Sequence, residues 1–479
     1  MINRYLVHSK LEYIVGIICV FLALVLGVWI AEHSIKKIAF IVIGLVGVTI
    51  VFFKPSVLLF LFFLFIPLEL FTLLPSQTLT KFIGLLLGSF FFMNLALKKR
   101  ISFPQGVKLF WILLYGIAAI LSLLVAKEIT ISYLMSLWLL IGMYFILFFS
   151  IRDLKTLHIG ILCLLIGGFL SVALNFVIGQ GWVSQGYIVK GTRSVEKFTR
   201  MGGLWGDPNE FASILLVLLP LSLLFFFRSK SFLVKVIAAG LFATLLVGFF
   251  RTYSRGGFIG FLVLLIFSVF KFDLFKRGSN KLKILLSIVA LLVIGTIVFY
   301  TVSETFIERM ETLRRGEGPQ ASSIQSRIEA YLTALRLFLE NPLLGVGLRN
   351  FGVYNIYSPL KVVHNTYLEV LACTGLLGFI PFVAILYLSW RELKKIQIAW
   401  KGGGNIDSPI YQYAVALELG FIAYFVSALF ITLDIEKMTW MLVTLSSVLW
   451  NISSRIKDSV YYNEKESANS VRFSNISRR

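Results

Sequence analysis

Basic side chains recur in four short motifs that lie between or beside apolar segments of the chain. The first motif is Thr-Arg-Met-Gly-Gly-Leu-Trp-Gly-Asp-Pro-Asn-Glu at 199–210, and the second is Arg-Thr-Tyr-Ser-Arg-Gly-Gly at 251–257. The third contains Arg327, and the fourth is Val-Val-His-Asn-Thr-Tyr-Leu-Glu at 362–369. Guanidinium groups bind phosphate oxygens through paired hydrogen bonds, and an imidazole can take a proton from a hydroxyl group. The motifs therefore predict a site for a diphosphate, with a histidine as general base.

Helix-start signals account for part of the first motif. Asp207 followed by Pro208 is typical of a helix N-cap and first turn, and Glu210 completes the cap. Arg200 has no comparable explanation in local structure. We therefore interpret Arg200, Asp207 and Asn209 as candidates for substrate binding, with pure capping as the alternative for Asp207.

The second motif places two arginines at a predicted membrane boundary. Arg251 and Arg255 are four residues apart, which predicts that they share one helical face. Burying arginines near hydrocarbon is costly unless an anion binds them or they reach the lipid headgroups. Gly256 and Gly257 would let a ligand or a neighbouring helix approach the backbone closely. We predict that Arg255 binds an anion and that Arg251 contributes.

An amphipathic helix is predicted around the third motif. Apolar residues recur at helical spacing from Ser323 to Glu340, and Asn341-Pro342 would end the helix. Ser326 with Glu329 matches a capping box. Such a helix would lie along the membrane surface. Arg327 lies near its start, where it either faces solvent or binds the same anion as Arg255.

His364 stands just before the predicted N-terminus of a spanning helix. Thr366 with Glu369 matches a capping box there. The positive end of the helix dipole favours the neutral, base-competent imidazole, and the exposed N–H groups attract anions. We interpret His364 as catalytic and Asn365 and Glu369 as candidates for substrate binding. The alternatives are a structural histidine and a purely capping glutamate.

Metal and cofactor signatures are absent from the sequence. It has no HExxH motif, no Cys/His spacing for zinc, no Walker loop and no Asp-x-Asp pair in a predicted outside loop. Cys19, Cys163 and Cys373 each lie within an apolar run, which is typical of buried apolar positions. We therefore expect chemistry without a metal or a cofactor.

The composition requires a membrane to position these motifs. Of the 479 residues, 58% are hydrophobic and only 14% are charged, against about 25% charged in soluble domains. Segments of spanning length predict an all-α, polytopic bundle of about 12 to 14 transmembrane helices, with a large extracytoplasmic loop that contains the amphipathic helix. The candidate spans are 13–31, 38–53, 57–74, 82–97, 109–126, 131–150, 157–179, 210–227, 232–250, 256–270, 282–302, 367–389, 412–433 and 438–452.

Loop charges predict the orientation. The net charge is +21, and Lys and Arg concentrate in alternate connections, which the positive-inside rule assigns to the cytoplasm. The excess of basic residues is then explained by membrane topology and by contact with anionic lipids, so we expect no nucleic acid partner. The connections 180–209 and 303–366 are long and basic yet predicted outside, which indicates function. We predict that Ser194, Gly318 and Lys361 face outward and that Lys99, Lys276 and Lys395 face the cytoplasm.

Three regions follow from these patterns. Residues 1–180 are predicted to be N-terminal transmembrane helices, and 181–452 a catalytic membrane domain that includes the external loop 303–366. The Ser/Asn-rich tail 453–479 is predicted to be disordered and cytoplasmic.

Over about residues 195–450, the sequence resembles the O-antigen ligase and O-antigen polymerase superfamily of bacterial glycan assembly. The resemblance lies in Ser-Arg-Gly-Gly at 254–257, in Ser-Arg at 326–327 with Asn-Pro-Leu-Leu-Gly-Val-Gly at 341–347, and in His-Asn-x-Tyr-Leu-Glu at 364–369. It implies a metal-independent glycosyltransferase of the bacterial inner membrane, with an active site facing the periplasm or the exterior. Its key arginines would be Arg255 and Arg327, and its histidine His364.

The resemblance also implies the partners. The donor would be an oligosaccharide on undecaprenyl diphosphate, and the acceptor a hydroxyl of a glycan or of a lipid-linked sugar, in O-antigen, exopolysaccharide or capsule biosynthesis. The motifs do not separate ligases, chain polymerases and protein O-oligosaccharyltransferases. A polysaccharide flippase or anion transporter, and a non-catalytic scaffold, are the alternatives from other classes. Transporters usually place functional charges near the midplane on broken helices, whereas these motifs lie at the predicted outer rim.

Overall fold

The fold is helical throughout the described parts of the chain. A computed structural model describes residues 56–69, 72–74, 77–97, 107–178, 182–188, 195–271, 319–355, 361–402 and 405–476. The strands within these ranges form only two short antiparallel hairpins. The predicted all-α architecture is therefore confirmed.

The helices and strands have the following bounds. The helices are α1 Ser56–Phe65, α2 Leu79–Leu97, α3 Val107–Ser122, α4 Ile131–Ser150, α5 Leu154–Ile178, α6 Pro208–Arg228, α7 Phe232–Arg251, α8 Arg255–Lys271, α9 Pro319–Glu340, α10 Phe351–Tyr354, α11 Thr366–Lys401, α12 Pro409–Ser427 and α13 Lys437–Ile476. Strand β1 Thr72–Leu74 pairs with β2 Gln77–Thr78, and β3 Trp182–Ile188 pairs with β4 Val195–Met201. Short 3₁₀ turns lie at Ile66–Leu68, Leu123–Val125 and Gly203–Trp205.

Seven helices in the described ranges are long and apolar enough to cross a membrane. They are Val107–Val125, Ile131–Ser150, Leu154–Val177, Pro208–Arg228, Phe232–Arg251, Thr366–Lys401 and Pro409–Ser427. At 1.5 Å per residue, a helix of about 20 residues matches the roughly 30 Å hydrocarbon core of a bilayer. Shorter apolar helices lie at Ser56–Leu68, Thr80–Ser89 and Arg255–Ser268. The chain is therefore a polytopic membrane protein.

The predicted spans can be compared with these helices. Spans 13–31, 38–53 and 282–302 lie outside the described residues, and each of the others coincides at least partly with a helix. The span 57–74 was predicted too long, because a 3₁₀ turn containing Pro67 follows α1 and a hairpin comes next. The span 412–433 also ends early, at Ser427. Beyond it the backbone carbonyls of Ala428 and Ile431 accept hydrogen bonds from Thr366 instead of continuing the helix.

The tail differs from its prediction in its backbone. Helix α13 continues to Ile476, whereas the sequence predicted disorder from residue 453. Ser453 is buried, and its Oγ accepts a hydrogen bond of 2.7 Å from Trp400 Nε1. This contact fixes the beginning of the tail against α11.

Helices α6 and α12 lie at the centre of the described bundle. Helix α6 packs against α7 and α12, and α12 also packs against α8 and α11. Both are mostly buried, and the hydroxyls of Ser213 on α6 and Ser427 on α12 are hydrogen-bonded at 2.8 Å. Small residues at a helix contact allow this close approach inside a membrane. The ends of α6 and α12 are thereby held beside each other.

Helix α11 is interrupted at Gly375, and a re-entrant segment, residues 341–348, fills the break. Gly375 has φ 58° and ψ −163°. The amides of Val346 and Gly347 bond to the carbonyls of Ala372 and Cys373 at 3.0 and 2.9 Å. In return, the amides of Leu376 and Leu377 bond to the carbonyls of Pro342 and Leu343 at 2.8 and 3.2 Å. Inside a membrane, every backbone N–H or C=O group that loses its helical hydrogen bond needs such a partner.

Two glycines make this insertion possible. Gly345 and Gly375 both have φ in the left-handed region. A Cβ at Gly345 would lie 2.5 Å from the carbonyl oxygen of Ala372, and one at Gly375 would lie 2.3 Å from that of Leu343. Only a residue without Cβ fits either position. The Asn-Pro-Leu-Leu-Gly-Val-Gly motif is therefore a structural joint between α9 and α11.

The basic residues that predict the cytoplasmic side lie far from the sequence motifs. Helices α6, α8 and α11 each begin at a motif and end at a basic residue, namely Arg228, Lys271 and Lys401. Their lengths, at 1.5 Å per residue, place these ends about 25 Å or more from the motifs. Near that end Lys271 and Lys394 both contact the buried carboxylate of Glu418. The charge asymmetry thus runs along the bundle axis.

This asymmetry gives a topology prediction. In a background without cysteine, we expect Lys361→Cys to react with a membrane-impermeant maleimide in intact cells and Lys395→Cys to react only after permeabilisation, because both side chains are exposed at opposite ends. The predicted positions Ser194, Gly318, Lys99 and Lys276 lie outside the described residues and extend the same test. The reverse labelling pattern would overturn the orientation.

Candidate active site

The motifs lie at the N-termini of three helices, α6, α8 and α11, which are close together. Asp207 caps α6, and its Oδ1 accepts the amides of Asn209 at 2.6 Å and Glu210 at 3.3 Å. Ser254 caps α8, where its Oγ accepts the amide of Gly257 at 3.2 Å. The predicted N-cap at Asp207 is confirmed. Exposed N–H groups at helix starts favour negatively charged ligands.

Arg251 and Arg255 do not share a helical face, so that prediction was wrong. Helix α7 ends at Arg251, and α8 begins at Arg255. Between them Tyr253 has φ 49°, a left-handed conformation that breaks the helix. Arg251 therefore ends one helix, where its charge suits the helix dipole. Arg255 starts the next helix.

Asn209 joins the first two motifs. Its Oδ1 accepts hydrogen bonds of 2.9 Å from Arg200 Nη2 and of 2.9 Å from Ser254 Oγ. Arg200 Nε also donates to the carbonyl of Thr252 at 2.9 Å, and the Arg200 side chain is only 6% exposed. Arg200 and Asn209 thus brace the turn that leads into Arg255.

The two glycines after Arg255 act as predicted, for neighbouring elements of the protein. A Cβ at Gly256 would lie 2.5 Å from the Cβ of Phe430, and one at Gly257 would lie 2.9 Å from that of Ala212. The start of α8 is therefore pressed against α6 and the segment that follows α12. Arg255 is half-buried there, within electrostatic range of Arg327.

Helix α9 brings Arg327 to the same place. Its Nη1 donates to the carbonyl of Phe430 at 3.1 Å. The predicted capping box at Ser326 and Glu329 was wrong, because α9 begins at Pro319 and both residues lie inside it. The helix itself is present as predicted.

Helix α9 has one buried face and one exposed apolar face. Small or apolar side chains at Ala330, Ala334 and Leu337 are buried. Larger ones at Ile328, Leu332, Leu335 and Leu339 are exposed.

His364 lies in the turn that precedes α11. Its backbone is left-handed, with φ 57°, and its carbonyl accepts a hydrogen bond of 3.2 Å from the Tyr331 hydroxyl on α9. The N-cap of α11 is Asn365, whose Oδ1 accepts the amides of Tyr367 and Leu368 at 3.0 and 3.1 Å, so the predicted cap at Thr366 was wrong by one residue. A left-handed residue outside glycine is strained and needs support from its surroundings.

The imidazole of His364 is kept neutral. Burial, together with the positive charge of Arg327, lowers the pKa of His364 to about 4, although Asp207 acts in the opposite direction. Its Nδ1 is buried without a hydrogen-bond partner among the described residues. At neutral pH the ring is therefore uncharged, and Nδ1 makes no hydrogen bond to the described residues.

Glu369 is buried beneath the turn that contains His364 and is hydrogen-bonded to it. Its side chain is 1% exposed, and its Oε2 accepts the amide of Val363 at 2.7 Å. Its Oε1 lies 3.6 Å from Cys373 Sγ and 3.8 Å from Arg349 Nη1. Like Asn365, Glu369 makes internal contacts that shape the site.

Three charged residues beside the site were missed in the sequence. Arg349, Asp434 and Glu436 form a buried group in which Arg349 Nη2 lies 3.1 Å from Asp434 Oδ1. Burial opposes the charge on Arg349, but the nearby carboxylates raise its pKa above the ordinary value. Burial raises the pKa of Glu436 to about 7. The signal was present as an Asp-x-Glu-Lys cluster between two predicted spans and as an arginine two residues after the glycine motif 341–347.

The arrangement can bind an anion beside a base. Two arginines and a neutral imidazole converge beside helix N-termini, where each charge-assisted hydrogen bond to a phosphate oxygen would be strong. Within the described ranges, no three His, Cys, Asp or Glu side chains group as ligands of a metal ion would. The expectation of metal-independent chemistry remains a prediction.

Comparison with known proteins agrees with the motifs. A family model described as O-antigen ligase matches residues 240–383. This segment contains Arg255, Arg327 and His364, together with the re-entrant joint. No significant match to a curated protein was found. Membrane helices together with this match support a multi-pass protein of the bacterial inner membrane with a role in glycan transfer. Residues 240–383 are therefore similar to the O-antigen ligase family, as the resemblance of the motifs indicated.

Proposed function

We propose that this protein transfers or polymerises a glycan from undecaprenyl diphosphate onto an acceptor hydroxyl on the extracytoplasmic face of the membrane. The observation that carries the proposal is the convergence of Arg255 and Arg327 on a neutral His364 at the end of the bundle opposite the lysines. A diphosphate on a lipid matches both the charge of the arginines and their position beside the membrane.

The arginines would stabilise the leaving group. As the bond between the anomeric carbon and the diphosphate oxygen breaks, negative charge develops on the diphosphate. Donors placed at that oxygen lower the barrier because they bind the transition state more strongly than the ground state. Arg255 at the start of its helix, and Arg327 bonded to the Phe430 carbonyl, support this proposal.

His364 would activate the acceptor. The acceptor oxygen would attack the anomeric carbon while its proton passes to a nitrogen of the neutral imidazole, and the lipid diphosphate would depart with the electron pair of the broken bond. One such displacement inverts the anomeric configuration. The proton can then return to the departing diphosphate or to solvent. A base that is neutral at physiological pH is ready for this transfer.

The remaining candidates would support this centre. Arg200 and Asn209 brace the turn before Arg255, and Asp207, Asn365 and Glu369 fix the helix starts. We propose that they shape the substrate site. Arg251, half-buried at the end of α7, would extend the cationic surface toward the donor.

The transporter alternative draws on one feature, the broken helix α11. Broken helices in transporters expose backbone groups to the transported ion. Here the backbone groups at the break in α11 bond to the re-entrant segment 341–348 and are therefore not available to a transported ion. This favours an enzyme.

A transfer assay separates the enzyme from a transporter or a scaffold. We expect purified protein in lipid nanodiscs to convert an undecaprenyl-diphosphate-linked oligosaccharide and a glycan acceptor into a longer product, detected by mass spectrometry. Only an enzyme forms a new glycosidic bond. Release of undecaprenyl diphosphate should match product formation. Movement of the donor across a vesicle membrane without any new bond would support a flippase and contradict the proposal.

Metal removal should leave this activity unchanged. The proposed centre uses guanidinium groups and an imidazole, and no site residue is assigned to a metal. We expect equal rates with and without EDTA after dialysis into metal-free buffer. Loss of activity that a divalent cation restores would overturn the metal-independent mechanism.

A further inference from the structure

Arg349 occupies an unusual position directly after the re-entrant segment 341–348. Its backbone is left-handed, with φ 58°, although it carries a long side chain. That side chain turns inward and is only 10% exposed. A strained backbone at a buried charged residue persists when its surroundings fix it, and such positions cluster at functional sites.

The guanidinium of Arg349 forms ion pairs with two carboxylates from different parts of the chain. Nη2 lies 3.1 Å from Asp434 Oδ1, and Nη1 lies 3.8 Å from Glu369 Oε1. Asp434 and Glu369 are 3% and 1% exposed in these pairs, so each depends on the arginine for its charge balance. The guanidinium also lies 5.6 Å from the ring centroid of Tyr133, which limits its movement.

Each carboxylate belongs to a segment that holds one residue of the proposed centre. Glu369 binds the amide of Val363, the residue directly before His364. Asp434 ends the segment 428–434, and in that segment Phe430 accepts the hydrogen bond from Arg327. The same segment binds the first residue of α11, since Ala428 and Ile431 accept from Thr366.

We propose that Arg349 is a positioning residue that sets the relative placement of His364 and Arg327 by binding Glu369 and Asp434 together. As a positioning residue, Arg349 is assigned no contact with the substrate or the reacting atoms. The inference rests on the proposed function only for the expected effect on transfer. The planar guanidinium presents a separate nitrogen to each carboxylate, Nη1 to Glu369 and Nη2 to Asp434, whereas lysine has only a single ammonium. A lysine at position 349 would therefore keep the positive charge and the fold, but would not keep His364 and Arg327 in their relative positions.

The test uses Arg349→Lys in the full chain, with two readouts. The first is kcat for transfer, which we expect to fall about 10- to 100-fold, because small misplacement of catalytic groups has effects of this size. The KM for the donor should change less than kcat. The second is the rate of carbethoxylation of His364 by diethyl pyrocarbonate, measured by peptide mass spectrometry. It should increase relative to His158 in the same sample.

The matched control is Arg336→Lys. Arg336 is an exposed arginine on α9 whose partner Glu340 lies 3.8 Å away. Exposed pairs of this kind contribute little, so both readouts should stay at the wild-type value. If Arg349→Lys does not fold, Asp434→Asn carries the same test, because it removes one carboxylate charge while it keeps the side-chain shape.

The two readouts separate the failure of this inference from that of the proposed function. Unchanged labelling of His364 and unchanged kcat in Arg349→Lys would overturn the positioning role. Altered labelling in a protein whose wild type shows no transfer would support the positioning role and reject the proposed function. A lower melting temperature in Arg349→Lys with unchanged labelling of His364 would show that Arg349 only stabilises the fold, and would overturn the positioning role.

Discussion

Replacing His364 with alanine should lower the transfer rate about 10²- to 10⁴-fold, the usual contribution of a general base. Donor binding should persist, since Arg255 and Arg327 supply most of the anchoring. The neutral ring, and an Nδ1 that has no hydrogen-bond partner among the described residues, are the structural reasons for this expectation. Single-turnover transfer and the affinity for the lipid donor are the two measurements. His158→Gln, at the opposite end of the bundle, is the histidine control and should keep the wild-type rate.

The pH profile tests the same assignment. A base works when it is unprotonated, so a pKa lowered to about 4 predicts that kcat/KM rises as the pH increases through about 4 and is flat at neutral pH. The bound diphosphate adds negative charge beside the ring and favours the imidazolium. The acid limb of kcat should therefore lie at higher pH than that of kcat/KM, because kcat reports the bound complex.

A glutamine at position 364 distinguishes a base from an orienting residue. Glutamine keeps a hydrogen-bond donor and an acceptor but cannot take up a proton. We expect His364→Gln to be nearly as inactive as the alanine variant and to lose the acid limb of the profile. A rate close to wild type would refute the base assignment and leave the donor site intact.

The sequence could point to the residues of the proposed centre because charged side chains are costly to bury in a membrane. Arg255 and Arg327 stand out in an apolar chain, and the helix-start signals around Asp207 and His364 are local in sequence. Helix caps were predicted to within a residue at Asp207 and at the start of α11. Local patterns of this kind carry over directly into structure.

The parts that failed depend on contacts that are distant in sequence. The break between Arg251 and Arg255 follows from the left-handed Tyr253, and helical spacing alone does not reveal it. The pairing of segment 341–348 with the interrupted α11 joins residues some 30 positions apart through backbone bonds. Periodicity also cannot show that Arg349 meets Asp434. Each of these features depends on tertiary packing, which overrides local propensity.

The second large effect concerns the two arginines. Arg255→Lys and Arg327→Lys should each lower kcat/KM about 10- to 150-fold, nearly as much as the alanine variants. A lost charge-assisted hydrogen bond costs about 1.5 to 3 kcal/mol, and each 1.36 kcal/mol is tenfold in rate. Lysine keeps the charge but not the paired N–H groups that match a phosphate. Steady-state transfer with a varied concentration of lipid donor measures the effect, and the exposed Arg336→Lys is the control.

The split between kcat and KM then shows when the arginines act. If they stabilise charge that develops on the leaving diphosphate, kcat falls, whereas contacts that are equal in the ground state raise only KM. Arg327 also donates to the Phe430 carbonyl, so its lysine variant needs a melting measurement to separate geometry from stability. Arg255 makes no such internal bond among the described contacts and provides the cleaner result. Wild-type activity in both lysine variants would show that these arginines contact only lipid headgroups, and the proposed donor site would have to be abandoned.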